Sequence, residues 1–225
     1  MRAHAVEVRR VARNIAQEVR KPKAPATLHT GVIDQQILSP AEIARLVNAV
    51  PADHRTTVNF LFRTGVRFGE LLGAMWSDVD WASSRVLIRR QRSGMTGELT
   101  APKTQAGTRW IDLDAQLIKE LKALRLRTPG DFVFPLAERN WRSRVWHPSL
   151  RRAGLRSVRI HDARHRHASL LIAAGADVVA VSRRLGHANP SITLTVYSHV
   201  FARRDAAPLG EKLAAFMLAE SGGCD

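Results

Sequence analysis

Cysteine is nearly absent from this 225-residue chain, and tyrosine occurs only once. Because Cys224 is the single cysteine, an intrachain disulfide and a cysteine-based zinc ribbon are excluded, and a reducing compartment is favoured. The chain has no run of 18 or more apolar residues, and its first ten residues, MRAHAVEVRR, lack the apolar core of a signal peptide. We therefore expect a cytoplasmic protein that does not contact a membrane.

Acidic residues are also scarce relative to basic ones. The chain has 35 Lys and Arg against 20 Asp and Glu, which gives a formal net charge of +15. An excess of this size favours a polyanionic partner, and the cytoplasm or the nucleoid is the expected location. A soluble protein with a generally basic surface is the alternative. The hydrophobic content of 45% is high enough for a real core in one large domain or two small ones.

Hydrophobic periodicity predicts a mainly α-helical chain with a small antiparallel β-sheet, an α+β fold. A helix over residues 1–20 and a basic linker to about residue 35 precede a compact domain that begins near Ile37. The capping box Ser39-Pro40-Ala41-Glu42 starts its first helix. Further helices are predicted at 52–63, 67–75, 115–127, 141–152, 163–174, 178–185 and 209–218. Strands are predicted at 85–89 and 108–113, with SGMTG supplying a turn.

The segment HDARHRH, residues 161–167, combines three histidines with two arginines. His161 and His165 are one helical turn apart, as two zinc ligands would be, but the neighbouring arginines oppose a cation and Asp162 is the only nearby carboxylate. His161 and Arg164, at i and i+3, can instead donate to one anion. We interpret the segment as an anion site, and His165 and His167 as ordinary packing or surface residues.

Two further segments contain candidate residues for binding a phosphate. In FRTGVRFGELL, Arg67 lies near the positive N-terminal end of a predicted helix, a favourable place for an anion, although an ion pair with Glu70 is the alternative. We expect Glu70 to hold local structure rather than to react. In RRLGHANPSITLTVYSHV, the only tyrosine, Tyr197, follows His187 by ten residues. Taken alone, a single tyrosine is more often a packing residue.

Together, TGVRFGELL, HDARHRHASLL and LGHANPSITLTVYSHV resemble the catalytic domain of the tyrosine recombinase, or phage integrase, family from about Ile37 to Val200. The chain departs from the commoner HDLRH form, since Ala163 replaces leucine and Arg166 stands where a small polar residue is usual. The resemblance implies the catalytic-domain fold of that family. It also implies six catalytic residues: Arg67, Lys103, His161, Arg164, His187 and Tyr197.

The resemblance implies a site-specific recombinase or integrase that cleaves and rejoins DNA through a 3′-phosphotyrosine, with no metal and no cofactor. Two guanidinium groups and a histidine would stabilise the charge that builds on the phosphate oxygens. Tyr197 must lose its proton to attack, and we expect His161 to accept it. Lys103 is the general acid for the leaving 5′ oxygen by resemblance alone.

The resemblance also suggests a domain organisation and partners. Residues 1–35 would be the last helix and linker of a core-binding domain, and 36–225 the catalytic domain with a C-terminal exchange helix. We expect binding to double-stranded DNA, self-association on it as a tetramer, and a monomer in its absence. The helix at 209–218 could equally pack on its own domain. The alternative function is a non-catalytic DNA-binding or regulatory protein derived from a recombinase, and a metal-dependent nuclease ranks third.

Overall fold

The computed structural model of the protein describes residues 37–102, 104–204 and 209–221. The helix predicted over residues 1–20, its linker and Lys103 lie outside these residues. The described helices are α1 (Pro40–Ala49), α2 (Ala52–Thr64), α3 (Phe68–Gly73), α4 (Ala115–Arg125), α5 (Glu138–Trp141), α6 (His147–Arg152), α7 (Asp162–Ala173), α8 (Val178–Leu185), α9 (Pro190–Arg204) and α10 (Leu209–Ser221). A π-helical turn, Arg142–Trp146, joins α5 to α6.

Along the chain between α3 and α4, five short strands form two small antiparallel sheets. In the first, β1 (Val79–Asp80) pairs with β2 (Arg85–Ile88), and β2 pairs with β5 (Arg109–Asp112). In the second, β3 (Gln91–Arg92) pairs with β4 (Leu99–Thr100). The predicted strands 85–89 and 108–113 are therefore confirmed as partners. The SGMTG turn closes the separate β3–β4 hairpin.

Local sequence signals set several helix ends. At α1, the Ser39 hydroxyl accepts from the Glu42 N–H and the Glu42 carboxylate accepts from the Ser39 N–H, so the predicted capping box is present. The Asp177 carboxylate accepts from two N–H groups at the start of α8, and Gly186 ends this helix at φ +70°. None of the helices in the described residues is both long and apolar enough to cross a membrane.

The apolar side chains form two clusters. The larger one packs α1, α2, α4 and α6 around the first sheet, with Trp146 and Leu117 fully buried. The smaller one lies between α7, α8 and α9 and contains Ile172, Leu185 and Tyr197. Because Tyr197 belongs to this second cluster, its side chain is only 1% exposed.

The sequence analysis missed α9. The β-branched residues of SITLTV lower helix propensity and show no clear helical period, so nothing local indicated a helix there. The packing of α9 against α7 and α8 supplies the missing stabilisation. The helix predicted at 67–75 is shorter than expected, since it begins at Phe68 and ends at Gly73.

Candidate active site

Arg67 lies at a sharp turn of the chain between α2 and α3. Gly65 ends α2 in the left-handed region, at φ +65°, and Arg67 then adopts an extended conformation at the start of α3. The Glu70 carboxylate accepts from the backbone N–H of Arg67 at 2.8 Å and from its Nη1 at 2.9 Å. The ion pair considered as the alternative is thus present, and the Arg67 side chain remains 40% exposed. Glu70 therefore fixes the position of this partly exposed arginine.

Glu70 is itself buried and is held by a second arginine. Nη1 and Nη2 of Arg109, on β5, donate to its two carboxylate oxygens at 3.1 and 2.9 Å. Burial alone would raise the pKa of the Glu70 carboxyl, but the Arg109 and Arg67 contacts outweigh it and hold the pKa below its usual range. Arg109 also donates from Nε to the backbone oxygen of Arg184 at 2.6 Å. This arginine therefore ties α3 to the C-terminal end of α8.

Arg164, on α7, is buried and 3% exposed. Its Nη1 donates to the Gly65 carbonyl at 2.8 Å and its Nη2 to the Leu185 carbonyl at 2.6 Å, so it joins the ends of α2 and α8. These bonds use two of the five N–H donors of the guanidinium. Burial, with the nearby charge of Arg67, lowers the pKa of Arg164 to about 9, so the group is a cation at neutral pH.

His187 follows the left-handed Gly186 at the end of α8, and its ring is half-buried. Its Nδ1 lies 2.8 Å from the hydroxyl oxygen of Thr193, a fully buried residue of α9, and this contact fixes the plane of the ring. Desolvation, followed by the positive charges of Arg164 and Arg67, lowers the pKa of His187 to about 4. The ring is therefore neutral at pH 7.

The Tyr197 hydroxyl lies 2.8 Å from Nδ1 of His165, one helical turn along α7 from His161. The rings of His161 and His165 meet edge to face, with centroids 4.9 Å apart. Burial raises the pKa of Tyr197 well above its usual range, although the charge of Arg164 opposes that shift. Desolvation, followed by the charges of His165 and Arg164, lowers the pKa of His161 to about 4. Both histidines lie close enough to Arg164 for its charge to lower their pKa values.

A cleft of about 490 Å³ opens beside these groups, and Arg67, Glu70, Gly186 and His187 lie in its wall. Pro102 and Thr104, which flank Lys103 in the chain, also line the cleft. Among the described residues, no group of three or more histidine, cysteine, aspartate or glutamate side chains is placed to hold a metal ion. The wall therefore offers one cation, Arg67, and one neutral imidazole ring, His187, with the charge of Arg164 nearby, a set suited to an anionic ligand.

The family model described as "Phage integrase family" matches residues 36–204. The chain belongs to the phage integrase family. Among curated relatives, the ICEBs1 integrase of Bacillus subtilis (strain 168) is 26% identical, and the match covers 73% of this chain and 50% of the relative. A XerC-like tyrosine recombinase of Caldanaerobacter subterraneus subsp. tengcongensis is 29% identical, and the match covers 75% of this chain and 51% of the relative. The chain thus spans about half the length of these relatives.

The fold also matches solved structures of this family. The Tn1549 transposon integrase, in complex with circular intermediate DNA, aligns with a TM-score of 0.65 and 18% identity, over 87% of this chain and 72% of that chain. At this identity the match concerns the fold. The expected fold, a mainly helical recombinase catalytic domain with small antiparallel sheets, is confirmed.

Five of the six residues singled out by the integrase resemblance lie close enough together for their charges to act on one another. Arg67, Arg164 and His187 influence one another, and Arg164 acts on Tyr197. His161 lies at the exposed edge of the group, near Arg164 and Arg67. Lys103 lies outside the described residues. Which of them take part in chemistry stays a prediction.

The structure corrects the interpretation of His165. The sequence analysis treated it as a packing or surface residue and expected His161 to accept the proton of the tyrosine; in the structure it is His165 that contacts the Tyr197 hydroxyl. The spacing of HDARHRH could not reveal this contact, because it depends on α9, which was not predicted. His167 does pack, since it is buried and its Nδ1 lies 2.9 Å from the Phe62 carbonyl. Arg109, which holds Glu70, carried no sequence signal that we recognised.

Proposed function

We propose that this protein is a site-specific DNA recombinase, acting as an integrase, that breaks and rejoins strands through a 3′-phosphotyrosine at Tyr197 without a metal ion. The observation that carries the proposal is the position of the only tyrosine, whose hydroxyl feels the charge of Arg164 and lies 2.8 Å from Nδ1 of His165, a residue one helical turn from His161. The names of its relatives, an integrase and a tyrosine recombinase, agree with this function. DNA as a substrate would locate the protein in the cytoplasm, on the nucleoid.

The proposed reaction is an in-line displacement at phosphorus. The Tyr197 oxygen forms a bond to phosphorus, the bond from phosphorus to the 5′ oxygen breaks, and the phenolic proton passes to a base. The departing 5′ oxygen receives a proton from a general acid, a role that the family resemblance gives to Lys103. The phosphodiester energy is conserved in the tyrosyl link, so a second strand can reverse the step.

Charge stabilisation is the task of the two arginines in this proposal. Arg67 is partly exposed beside the cleft, so its guanidinium can meet the non-bridging oxygens of a phosphate. Arg164 is anchored to two carbonyls, and it contributes a fixed positive charge in a site of low polarity. His187 is neutral, and a neutral imidazole can donate one hydrogen bond to the same phosphate.

The burial of Tyr197 has a consequence for activation. A side chain that is 1% exposed cannot reach a phosphate in the cleft unless α9 moves or its side chain rotates. We infer that DNA binding is coupled to release of Tyr197 from the second core cluster. In the chain without DNA, the nucleophile would then be held away from the cleft.

We further propose that α10 docks on a neighbouring copy when several copies bind DNA as a tetramer. Its apolar residues Leu213, Phe216 and Met217 are each at least 60% exposed, which favours docking between copies over packing of the helix on its own domain. An apolar surface of this kind gains stability when a partner covers it. Without DNA we expect a monomer.

The test is covalent trapping on nicked suicide duplexes drawn from candidate attachment sites, with a chelator present. A denaturing gel should show a protein–DNA band with the wild-type chain and none with Tyr197→Phe, because no second tyrosine exists to substitute. Binding without a covalent band, even after a core-binding domain is added, would favour a regulatory DNA-binding protein. Strand cleavage that the chelator abolishes and that leaves no covalent band would favour a metal-dependent nuclease.

A further inference from the structure

We propose that Arg109 is a positioning residue for the leaving-group step, because it holds the connector between β4 and β5, residues 101–108, against the cleft. The proposal rests on the proposed function, in which Lys103 of this connector is the general acid. Its ammonium group gives a proton to the 5′ oxygen as the bond from phosphorus to that oxygen breaks. Arg109 is buried, so it acts through the groups that it holds and not by touching DNA.

The guanidinium of Arg109 joins three parts of the site. Its Nη1 and Nη2 donate to the two carboxylate oxygens of Glu70, on α3, at 3.1 and 2.9 Å. Its Nη1 also donates to the Gly107 carbonyl of the connector at 3.0 Å, and its Nε donates to the Arg184 carbonyl on α8 at 2.6 Å. Four of its five N–H donors are therefore used, and one rigid group binds α3, the connector and α8 together.

The connector is also packed closely around this guanidinium. A Cβ added at Gly186, where α8 ends, would lie 2.7 Å from Nη1 of Arg109 and 2.9 Å from the Ala106 carbonyl oxygen. A Cβ added at Gly107 would lie 2.4 Å from the Cβ of Pro102. Pro102 thus packs on the part of the connector that Arg109 holds, and the connector has little room to shift while the guanidinium is in place.

The position of the connector matters because Pro102 and Thr104 line the same cleft as Arg67 and His187. These two connector residues flank Lys103 in the chain. Proton transfer requires the acid and the oxygen to lie within hydrogen-bond distance, and a displacement of about 1 Å can cost about 10²-fold in rate. A displaced connector would therefore slow departure of the 5′ oxygen more than it weakens binding of the phosphate.

The four hydrogen bonds of Arg109 do not depend on the position of Tyr197. Their acceptors lie on α3, on the connector and at the C-terminal end of α8, whereas Tyr197 lies on α9. Release of Tyr197 from the second core cluster therefore leaves these bonds in place. The same contacts can position the connector in the reacting state.

The test uses a substitution that separates positioning from charge. In Arg109→Lys, the ammonium keeps a cation beside Glu70, but its three N–H donors radiate from one nitrogen and cannot reach all three parts of the site. Arg90→Lys is the matched control, because Arg90 also pairs with a buried carboxylate, that of Asp78, and lies outside the cleft wall formed by the described residues. Gly107→Ala displaces the connector by a second route and keeps the Arg109 side chain.

The first measurement is single-turnover formation of the covalent complex on nicked suicide duplexes with oxygen or sulfur at the 5′ bridging position. A thiolate leaves without a general acid, because a thiol has a far lower pKa than an alcohol. We expect Arg109→Lys and Gly107→Ala to be about 10²-fold slower than the wild type on the oxygen substrate. On the sulfur substrate both should come within about fivefold of the wild type, since the loss is in general-acid catalysis. Arg90→Lys should stay within about twofold on both substrates.

Equal losses on the two substrates would overturn the proposal, since they would show that Arg109 acts on the phosphate or on the fold and not on the leaving group. An unchanged oxygen rate in both variants would also overturn it. Urea unfolding checks that each variant is folded, and Gly107→Ala carries the test if Arg109→Lys does not fold. A wild-type chain that forms no covalent complex on either substrate contradicts the proposed function as a whole.

The second measurement is a double-mutant cycle with Lys103→Ala on the oxygen substrate. We expect Arg109→Lys to cost less than about threefold in a chain that already has Lys103→Ala, because residues that act through one step are not additive. Losses that multiply would show that Arg109 acts independently of the acid and would overturn the proposal. A Lys103→Ala chain that keeps the wild-type rate would overturn it too, because the connector would then carry no acid.

Discussion

Arg109 and Glu70 form a two-pronged ion pair in the floor beneath Arg67, with hydrogen bonds of 3.1 and 2.9 Å. The exposed fractions of the two side chains are 7% and 4%. The Glu70 carboxylate also accepts hydrogen bonds from the backbone N–H and the side chain of Arg67. The buried pair therefore fixes the position of Arg67, whose side chain is partly exposed beside the cleft. The position of Arg67 thus depends on a residue 42 positions further along the chain.

Arg109→Met tests whether the buried Arg109–Glu70 pair stabilises the structure around Arg67. We expect the free energy of unfolding to fall by about 3 to 5 kcal/mol, because the substitution leaves the buried Glu70 carboxylate without its main partner. Arg142→Met is the control, since it breaks an exposed ion pair with Glu138 and should cost less than about 1 kcal/mol. Urea unfolding of both variants measures the difference. If both variants lose the same small amount of unfolding free energy, the Arg109–Glu70 pair does not stabilise the structure around Arg67.

Gly65→Ala tests the turn between α2 and α3. An added Cβ would lie 2.5 Å from the His167 ring, and the left-handed φ of +65° adds a backbone cost of about 1 to 2 kcal/mol. Gly154→Ala is a matched control, because Gly154 has φ +63° and nothing within 4 Å of its added Cβ. We expect Gly65→Ala to lose at least about 1 kcal/mol more than the control in thermal or urea unfolding, as overpacking usually costs that much. Equal losses would contradict the close approach of His167.

His167 predicts how stability depends on pH. Its Nδ1 donates to the Phe62 carbonyl and its Nε2 accepts from Nε of Arg184, so the folded state holds the neutral ring. Burial, followed by the charge of Arg184, lowers its pKa from 6.5 to about 4. Between these values the unfolded chain binds more protons than the folded chain, so stability is complete above pH 6.5 and falls as the pH drops toward 4.

A pKa lowered from 6.5 to about 4 corresponds to about 3 kcal/mol of stability lost across that window. We expect urea unfolding at several pH values to show this decline in the wild type and a shallower one in His167→Gln, which cannot become charged. A wild-type unfolding free energy that stays constant from pH 7 to pH 4 would be inconsistent with the buried neutral ring.

Removal of residues 205–225 tests the role of α10. We expect the shortened chain to bind a single DNA site but to lose cooperative assembly on paired sites, measured by gel shift and light scattering. Serine at Leu213, Phe216 and Met217 should have the same effect, because it removes the exposed apolar surface. Glu211→Gln, on the same helix, should leave assembly unchanged. Cooperativity that survives the truncation would rule out exchange of this helix between copies.

Local signals predicted much of the fold from sequence. The boundaries of α8 match the prediction, Val178–Leu185, because Asp177 and Gly186 provide an N-cap and a left-handed end. The β2–β5 pair was expected from alternating apolar residues, as its register of Val86 with Ile111 bears out. These signals involve only neighbouring residues in the chain.

The site was predicted less completely, for a physical reason. Family resemblance identified Tyr197, but its contact with His165 requires two helices to pack, and no local pattern encodes which ring faces the hydroxyl. The Arg109–Glu70 pair likewise joins residues 39 positions apart. Long-range contacts of this kind follow from the assembled core.

The most direct test of the proposed chemistry is to identify the bond in the trapped complex. Wild-type protein should be reacted with a nicked suicide duplex in chelator, digested with protease and nuclease, and analysed by tandem mass spectrometry. We predict one modified peptide, in which Tyr197 carries a nucleotide through its 3′ phosphate, with a free 5′ hydroxyl on the other DNA product. A nucleotide attached through its 5′ phosphate, or attached to any other residue, would contradict the assignment of Tyr197 as the nucleophile.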